Sequence, residues 1–262
     1  MAAATPAIAR LAQSQLDWLE TCPRQFQHAY LDCLGALPNP AQQARRDWGE
    51  RFHLLMQQRE LGVPVESFLR QDPQLERALN ALLSPAPELF APQANTRRAV
   101  EHRRSLRWGH YLLSAIYDLL AVGPDGIQIV DWKTHLRPQP RARLAAAWQT
   151  RLYRYILAET ADCAPERITM TYWFVGAPAG PSSVRFDYSQ QQHAQTGREL
   201  QALLEQLDAW WTAYRDRGVP FPQVPEEEGH CTACRFAARC QRSPQASEPE
   251  ASNWASVGEV AP

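Results

Sequence analysis

The sequence predicts an α/β fold, and three observations support this class. A helical pattern fills residues 14–83, three strand-like runs follow between residues 96 and 133, and two long helices alternate with further strands after them. Strands that alternate with helices predict a sheet covered by helices. At 262 residues the chain is long enough to bury a substantial core.

The N-terminal part is predicted to be helical. Apolar residues recur at helical spacing in residues 14–34 and 41–61, and Gly62 and Pro64 end the second helix. Residues 65–83 are predicted as shorter helices interrupted by Pro73, because proline breaks a helix interior. A loop rich in proline and alanine follows over residues 84–95.

The rest of the chain is predicted to carry the sheet. Strands are predicted over residues 96–106, 111–122 and 127–133, and Gly123-Pro124-Asp125-Gly126 is a typical turn between the last two. Further elements are a helix over 142–159, strands over 168–175 and 183–188, and a helix over 191–217. The chain is therefore divided into a flexible N-terminus (1–13), a helical part (14–95), a core (96–220), a cysteine segment (221–242) and a disordered tail (243–262).

Composition limits the class of protein only broadly. A formal net charge of -1 neither favours nor excludes nucleic acid as a partner. Six cysteines without a signal peptide argue against a secreted disulfide scaffold, and no apolar run approaches the ~18 residues of a membrane span. We therefore expect a cytoplasmic protein without a membrane partner. The sequence has no G-x-x-x-x-G-K-[ST] loop, so any helicase would be a separate partner.

Two acids and a lysine lie on the predicted hairpin. If its turn is centred between Pro124 and Asp125, Asp118 lies directly opposite Asp131 on one face of the sheet. Lys133, two residues beyond Asp131, points to the same face. Like charges that face each other across a strand pair are destabilising, so this arrangement favours a cation between them.

These three residues suit a metal-dependent nuclease. Two carboxylates with positions left for water are suitable ligands for Mg²⁺ or Mn²⁺. Such an ion polarises a phosphate oxygen and lowers the pKa of a bound water, and Lys133 would hold the hydroxide or stabilise charge on the phosphate. The same residues also fit a solvent-facing hairpin with two unrelated acids, so both interpretations remain open at this point.

The hairpin sequence resembles the core of the PD-(D/E)XK nuclease superfamily. The resemblance rests on Asp118 and on Ile129-Val130-Asp131-Trp132-Lys133-Thr134, which follow one another across a turn. Tyr117 stands where the family name has proline, and Ala115 stands where a glycine is frequent. The resemblance implies a mixed sheet flanked by helices, with a helical N-terminal cap, and catalytic roles for Asp118, Asp131 and Lys133.

Two helical motifs resemble the RecB-like branch of this superfamily, which includes the CRISPR-associated exonucleases. Gln149 and Tyr153 are similar to its Q-x-x-x-Y helix, and Gly49 and His53 are similar to its G-x-x-x-H helix. The resemblance implies a metal site of His53, Asp118 and Asp131, with Gln149 and Tyr153 positioning lysine or phosphate. An imidazole ligand favours Mn²⁺ somewhat over Mg²⁺.

Four cysteines form a candidate metal-binding set. Cys231, Cys234 and Cys240 have C-x₂-C-x₅-C spacing, and Cys22 lies in a C-P-x-x-F segment. This set resembles the [4Fe–4S] ligands of iron–sulfur RecB-like nucleases, in which one N-terminal cysteine joins three C-terminal ones. Structural Zn²⁺ remains the alternative, since four thiolates also suit zinc. Metal binding would tie residue 22 to residues 231–240. The two further cysteines, Cys33 and Cys163, are predicted to be buried thiols.

Arginines concentrate around the predicted site, and no acid occurs between Trp132 and Ala158. Such clustering suits a binder of the phosphate backbone, although a solvated arginine face would look the same. The predicted nucleic-acid-binding residues are Arg137, Arg141, Arg151 and Arg154.

Together the motifs predict a divalent-metal-dependent DNA nuclease. The expected activity is exonucleolytic, on single-stranded DNA, in repair, recombination or CRISPR adaptation, alongside a helicase or CRISPR and recombination proteins. One alternative is a catalytically silent module that binds DNA or scaffolds a complex. Another is a nuclease that acts on RNA or structured DNA.

Overall fold

A six-stranded sheet forms the centre of the fold. The computed structural model describes residues 9–35, 40–83, 85, 87–90, 95–134, 139–177 and 180–242. The strands are β1 (Ala9–Leu11), β2 (Arg97–Trp108), β3 (Tyr111–Gly123), β4 (Gly126–Lys133), β5 (Ile168–Phe174) and β6 (Ser182–Asp187). Parallel pairs (β1 with β3, β4 with β5) and antiparallel pairs occur together, so the sheet is mixed, as predicted.

Three strands pair with β3. β2 runs antiparallel along nearly its whole length, while β1 pairs with residues 111–113 and β4 with residues 119–123. The register between β3 and β4 runs from Gly123↔Gly126 to Leu119↔Val130, which confirms the predicted turn between Pro124 and Asp125. Asp118 lies one residue beyond the last pair, where β3 and β4 cease to pair.

A helical crossover joins the parallel strands β4 and β5, as parallel pairing requires. It consists of α7 (Arg141–Ala146) and α8 (Trp148–Thr160), separated by Ala147 in an extended conformation. This break corrects the single helix predicted for residues 142–159. The first turn of α8 lies beside the end of β4, where Gln149 contacts Lys133.

Helices supply the remaining elements. They are α1 (Gln13–Thr21), α2 (Pro23–Phe26), a π-helical turn (Gln27–Leu31), α3 (Pro40–Glu60), α4 (Glu66–Gln71), α5 (Pro73–Leu83), α6 (Pro87–Phe90), α9 (Gln190–Arg217) and short 3₁₀ turns at Pro165–Arg167, Glu226–Glu228 and Ala238–Cys240. The division between α4 and α5 at Pro73 confirms the predicted interruption.

Two predicted elements were wrong at the N-terminus. The single helix expected over residues 14–34 is interrupted at Cys22, whose backbone is extended because the following Pro23 disfavours helical geometry before it. Residues 9–11, predicted to be flexible, form β1, which is too short to show a periodic pattern. The predicted disordered tail over residues 243–262 lies outside the described residues.

The chain divides into two compact units. We call residues 1–17 and 37–207 the sheet unit, and residues 18–36 and 208–262 the cysteine unit. This division cuts across the predicted segments, since residues 14–95 contribute to both units. Among the described residues, no helix has the length and hydropathy that a membrane crossing requires.

A hydrophobic cluster in the sheet unit anchors α3 beside the strands that carry the acids. Phe52, Leu55 and Met56 of α3 are buried in it with Val130 and Trp132 of β4. Burial of a large apolar side chain contributes about 1.5–3 kcal/mol. The side chain of His53, next to Phe52, is thereby fixed relative to β4.

Candidate active site and cysteine pocket

Asp131, Lys133 and Gln149 form a closed triangle of polar contacts. Lys133 Nζ lies 2.6 Å from Asp131 Oδ1 and donates to Gln149 Oε1 at 2.6 Å. Gln149 Nε2 in turn donates to Asp131 Oδ2 at 2.6 Å. Gln149 therefore holds the acid and the lysine together, which is a positioning role of the kind expected from the Q-x-x-x-Y resemblance.

Asp131 is almost fully buried. Burial raises the pKa of this carboxyl, the charge of Lys133 lowers it, and the charge of Asp118 raises it again. The carboxylate thus depends on a nearby cation to stay ionised, and in this structure Lys133 is that cation.

Asp118 connects β3 to β4 after their ladder ends. The backbone N–H of Trp132 donates to Asp118 Oδ2 at 2.7 Å. Asp118 Oδ1 lies 3.4 Å from His53 Nδ1 on α3. The structure therefore brings together His53, Asp118, Asp131 and Lys133, the residues assigned to metal binding and catalysis from the sequence.

His53 experiences a strongly negative environment. Burial lowers the pKa of its imidazole, but the hydrogen bond and charge of Asp118, with the charges of Asp131 and Glu101, outweigh burial and raise the pKa overall. The carboxylates of Asp118, Asp131 and Glu101 therefore all act on His53, and a divalent cation bound beside them would be stabilised by the same negative charges.

Glu101 is a site residue that the sequence analysis missed. Its carboxylate, the His53 imidazole and the Asp118 carboxylate have donor atoms within 4.8 Å of one another, a geometry that could hold a metal ion. Burial raises the pKa of Glu101, and the charge of Asp118 raises it further. The signal available in the sequence was the pairing of the strands at residues 96–106 and 111–122, which would have placed Glu101 across from Asp118.

Gly49 lets α3 approach the end of β4. A Cβ at this position would lie 3.0 Å from Thr134 Oγ1, the residue after Lys133. The small residue in the G-x-x-x-H motif therefore clears space for the chain segment that follows Lys133.

Asp17 fixes the start of α8. Ala147, the residue before the helix, offers no side-chain acceptor, and Asp17 Oδ1 accepts the Trp148 N–H at 3.0 Å instead. This contact satisfies one of the free N–H groups at the helix start, next to Gln149.

Tyr153 supports the site from inside the protein. It is buried, its ring packs edge-on against Tyr117, and its hydroxyl hydrogen-bonds the Gln149 side chain and the Ile116 backbone. Burial and the charges of Asp131 and Asp118 raise the pKa of its hydroxyl. The structure places Tyr153 where it can orient Gln149, and away from solvent.

The predicted nucleic-acid-binding arginines differ in their availability. Arg154 is only 4% exposed and donates to the carbonyls of Thr150 and Asp187, so its assignment to a DNA surface is corrected to a structural role. Arg151 pairs with Glu199 at 3.0 Å and stacks on Trp148. Arg141 is exposed and lies over the Phe186 ring. Arg137 lies outside the described residues.

The four predicted cysteine ligands line one pocket in the cysteine unit. Cys22, Cys231, Cys234 and Cys240 share it with Gln25, Gln223, Val224, Phe236, Ala237 and Arg242, around a volume of about 290 Å³ that is partly open to solvent. Burial raises the pKa of the Cys231 and Cys240 thiols, and each is raised further by the charges of the other cysteines.

Consecutive turns bring three of these sulfurs to the pocket. Gly229 has a left-handed backbone (φ 73°), and the N–H of Cys234 then bonds the carbonyl of Cys231. A further turn bonds the N–H of Cys240 to the carbonyl of Ala237. The remaining cysteines, Cys33 and Cys163, do not line the pocket. Cys33 is exposed and Cys163 is partly exposed, so the prediction that both thiols are buried was wrong.

The comparisons agree with this fold. The model of the PD-(D/E)XK nuclease superfamily matches residues 10–241, so the chain belongs to this superfamily, whose nucleases are metal-dependent phosphodiesterases. No curated protein matches the chain.

Solved structures resemble the chain at low sequence identity. A protein of Eubacterium rectale described as a "Putative exonuclease" is 9% identical, with 89% of this chain and 88% of that chain covered and a TM-score of 0.52. A protein named SSO0001 is 11% identical, with 91% and 87% covered and a TM-score of 0.39. The likeness to the E. rectale protein supports the fold alone.

Proposed function

We propose that the protein is a DNA exonuclease of the RecB-like branch that acts on single-stranded ends with Mg²⁺ or Mn²⁺. The observation that carries the proposal is a set of polar contacts where the β3–β4 ladder ends, between His53 and Asp118 and among Asp131, Lys133 and Gln149. A silent module would not need an ionised acid buried against a lysine, since that arrangement carries a desolvation penalty.

The donor set fits a divalent cation. Two carboxylates, a third from Glu101 and one imidazole supply hard oxygen ligands and one nitrogen, which suit Mn²⁺ or Mg²⁺. When bound, the ion would polarise the phosphate and lower the pKa of a water.

The chain's own residues would do the remaining work. Asp118, fixed by the Trp132 N–H, and His53, fixed by the packing of α3, hold the ion. Lys133 is placed by Gln149 to hold a hydroxide and to stabilise negative charge on the phosphate. Arg141 is exposed over the Phe186 ring and donates to the Arg185 carbonyl at 2.7 Å, and its other N–H groups would contact the DNA backbone.

End-labelled single-stranded DNA with Mn²⁺ tests the proposed activity. We expect Asp131→Asn and Lys133→Met each to lower the cleavage rate by at least about 100-fold. The matched control is Asp187→Asn, which removes an exposed acid that pairs with Arg185. Equal digestion by wild type, Asp131→Asn and Lys133→Met would refute the catalytic assignment.

The same assay separates the alternative substrates. Products shortened stepwise from a labelled end support an exonuclease, whereas cleavage of closed circles or of flaps supports an endonuclease. Faster cleavage of matched RNA would transfer the proposal to RNA.

For the cysteine pocket we propose a [4Fe–4S] cluster bound by Cys22, Cys231, Cys234 and Cys240. All four thiols line one pocket. Burial raises the pKa of the Cys231 and Cys240 thiols overall, and the charges of Arg242 and Arg24 oppose this only in part, so a bound metal would have to stabilise the thiolates. Thiolates are the ligands that such clusters require.

The spacing of the cysteines along the chain favours a cluster over zinc. One distant cysteine and a five-residue gap differ from the paired C-x₂-C sets that are typical of zinc ribbons.

Metal analysis after anaerobic purification tests the cluster. We expect about four iron and four sulfide per chain, both lost in Cys234→Ser, while Cys163→Ser keeps them. One zinc per chain with no iron would refute the cluster.

A further inference from the structure

His28 in the cysteine unit has a buried position that the proposed activity does not explain. It is 5% exposed, and its Nε2 lies 3.7 Å from the sulfur of Cys240. Its ring packs against Phe236, which also lines the cysteine pocket. A buried imidazole therefore contacts one of the four candidate ligand sulfurs.

The local backbone is built to present this ring. Residues 27–31 form a π-helical turn, in which the Asp32 N–H bonds the carbonyl of Gln27. Such turns are rare in proteins as a whole, and those that do occur are often located at functional sites. Both side chains at the start of the turn, Gln27 and His28, are buried and polar.

The other ring nitrogen is held in place. His28 Nδ1 lies 2.9 Å from Asp32 Oδ2, and the Tyr214 hydroxyl donates to Asp32 Oδ1 at 2.8 Å. Gln27 Nε2 also donates to Asp32, and Gln27 Oε1 accepts the Phe221 N–H. Because a carboxylate only accepts, Nδ1 carries the proton in the bond to Asp32, and the ring orientation aims Nε2 at Cys240.

We infer that His28 is a positioning residue of the cysteine site, whose Nε2–H donates a hydrogen bond to the metal-bound sulfur of Cys240. The inference rests on the proposed cluster. In the loaded site both ring nitrogens would act as donors, Nδ1–H to Asp32 and Nε2–H to the sulfur of Cys240. Outer partners that fix a ligand in this way commonly tune the metal centre.

The reduction potential of the cluster measures this hydrogen bond. A donor to a ligand sulfur stabilises the more negative, reduced cluster, so its loss favours the oxidised form. We expect His28→Phe, which keeps a ring against Phe236, to shift the equilibrium about tenfold toward the oxidised form. For a one-electron couple this is a fall of about 59 mV in midpoint potential. We expect a smaller fall in midpoint potential for His28→Gln, because glutamine keeps an N–H donor.

Two further variants separate this role from general packing. Tyr214→Phe removes only the hydroxyl that holds Asp32. We expect it to lower the midpoint potential less than His28→Phe does. His230 is exposed, lies next to Cys231 in the sequence and pairs with Glu228. We expect His230→Gln to leave the midpoint potential unchanged. Nuclease activity is measured in parallel as an independent readout.

The outcomes distinguish this inference from the proposed cofactor. Iron-loaded His28→Phe with the wild-type potential refutes the inference and leaves the cluster intact. Folded His28→Phe and His28→Gln that bind no iron also refute it, because His28 would then be a ligand. If wild type binds zinc only, the cluster fails, and the rate of zinc release to a chelator replaces the potential: an unchanged rate in His28→Phe refutes the hydrogen bond.

Discussion

Glu101 lies opposite Asp118 in the register of β2 and β3. The ladder between these strands runs from Arg97↔Val122 to Trp108↔Tyr111, and Glu101 and Asp118 are the two opposed residues in it that do not pair. Glu101 has a left-handed backbone (φ 47°), which is strained for a residue with a side chain. A carboxylate in that conformation, opposite another acid, is unfavourable for stability, so we assign it a role in cation binding.

We predict opposite effects of Glu101→Asn on stability and on metal binding. Asparagine tolerates the left-handed conformation and removes the repulsion from Asp118, so the metal-free free energy of unfolding should rise by about 1 kcal/mol. Mn²⁺ affinity, measured by calorimetry, should fall by about tenfold or more. Ser105→Asn on the same strand is the control. A less stable variant with unchanged Mn²⁺ affinity would show that Glu101 is structural.

Gly49 and Thr134 should be energetically coupled. Gly49→Ala gains helix propensity of about 1 kcal/mol, but its Cβ would meet Thr134 Oγ1 at 3.0 Å. We expect the full gain in a Thr134→Ala background and a smaller gain, or a loss, in the wild type, as measured by a double-mutant cycle in urea. Equal effects in both backgrounds would mean that the helix adjusts without strain.

Asp17 should make stability depend on pH. Burial raises the pKa of this carboxyl, and the Trp148 N–H and the charge of Arg151 lower it only in part. Because the folded pKa lies above the unfolded value, wild type should gain stability relative to Asp17→Asn as pH falls from 7 through the folded pKa. Thermal unfolding at pH 4 and 7 measures the difference.

Asp216 is the control, because its effect on stability should depend on pH in the opposite direction. A hydrogen bond from Arg215 lowers the pKa of this exposed carboxyl, so its smaller contribution to the stability of the fold should be lost on acidification. If the stability difference between wild type and Asp17→Asn grew with rising pH in favour of wild type, the assigned direction would be wrong.

Arg154 and Arg141 should affect different properties. Arg154→Met leaves the Asp187 carbonyl without its donor, so the free energy of unfolding should fall by about 1–3 kcal/mol. The salt dependence of DNA binding should not change. Arg141→Gln should keep stability and lower the slope of log K against log salt by about 1. A reduced slope of log K against log salt in Arg154→Met would instead show that Arg154 contacts DNA.

Local patterns were sufficient to predict the hairpin and its acids. The Gly-Pro-Asp-Gly turn fixes the register, and the register places Asp118 next to Asp131. Periodicity likewise located most helices and strands. The break at Cys22 and the strand at residues 9–11 were missed, since the first depends on Pro23 and the second on pairing with β3.

Properties that depend on distant contacts could not be predicted. Arg154 looked like other arginines in a basic stretch, and its burial arises from Asp187 and Tyr188, more than thirty residues further along the chain. Glu101 could be placed across from Asp118 only by pairing the first two predicted strands, and no periodic pattern encodes its left-handed backbone. His28 depends on a π-helical turn and on Asp32 and Tyr214, whose positions follow from tertiary packing.

The contact between Lys133 and Asp131 makes the lysine a resident counter-ion of the resting enzyme. Its ammonium has three N–H donors, and Asp131 and Gln149 engage two of them. Under the proposed function, the third donor would serve a hydroxide or a phosphate oxygen while Lys133 stays in contact with Asp131. The buried acid would then keep the same counter-ion before and after a metal ion binds.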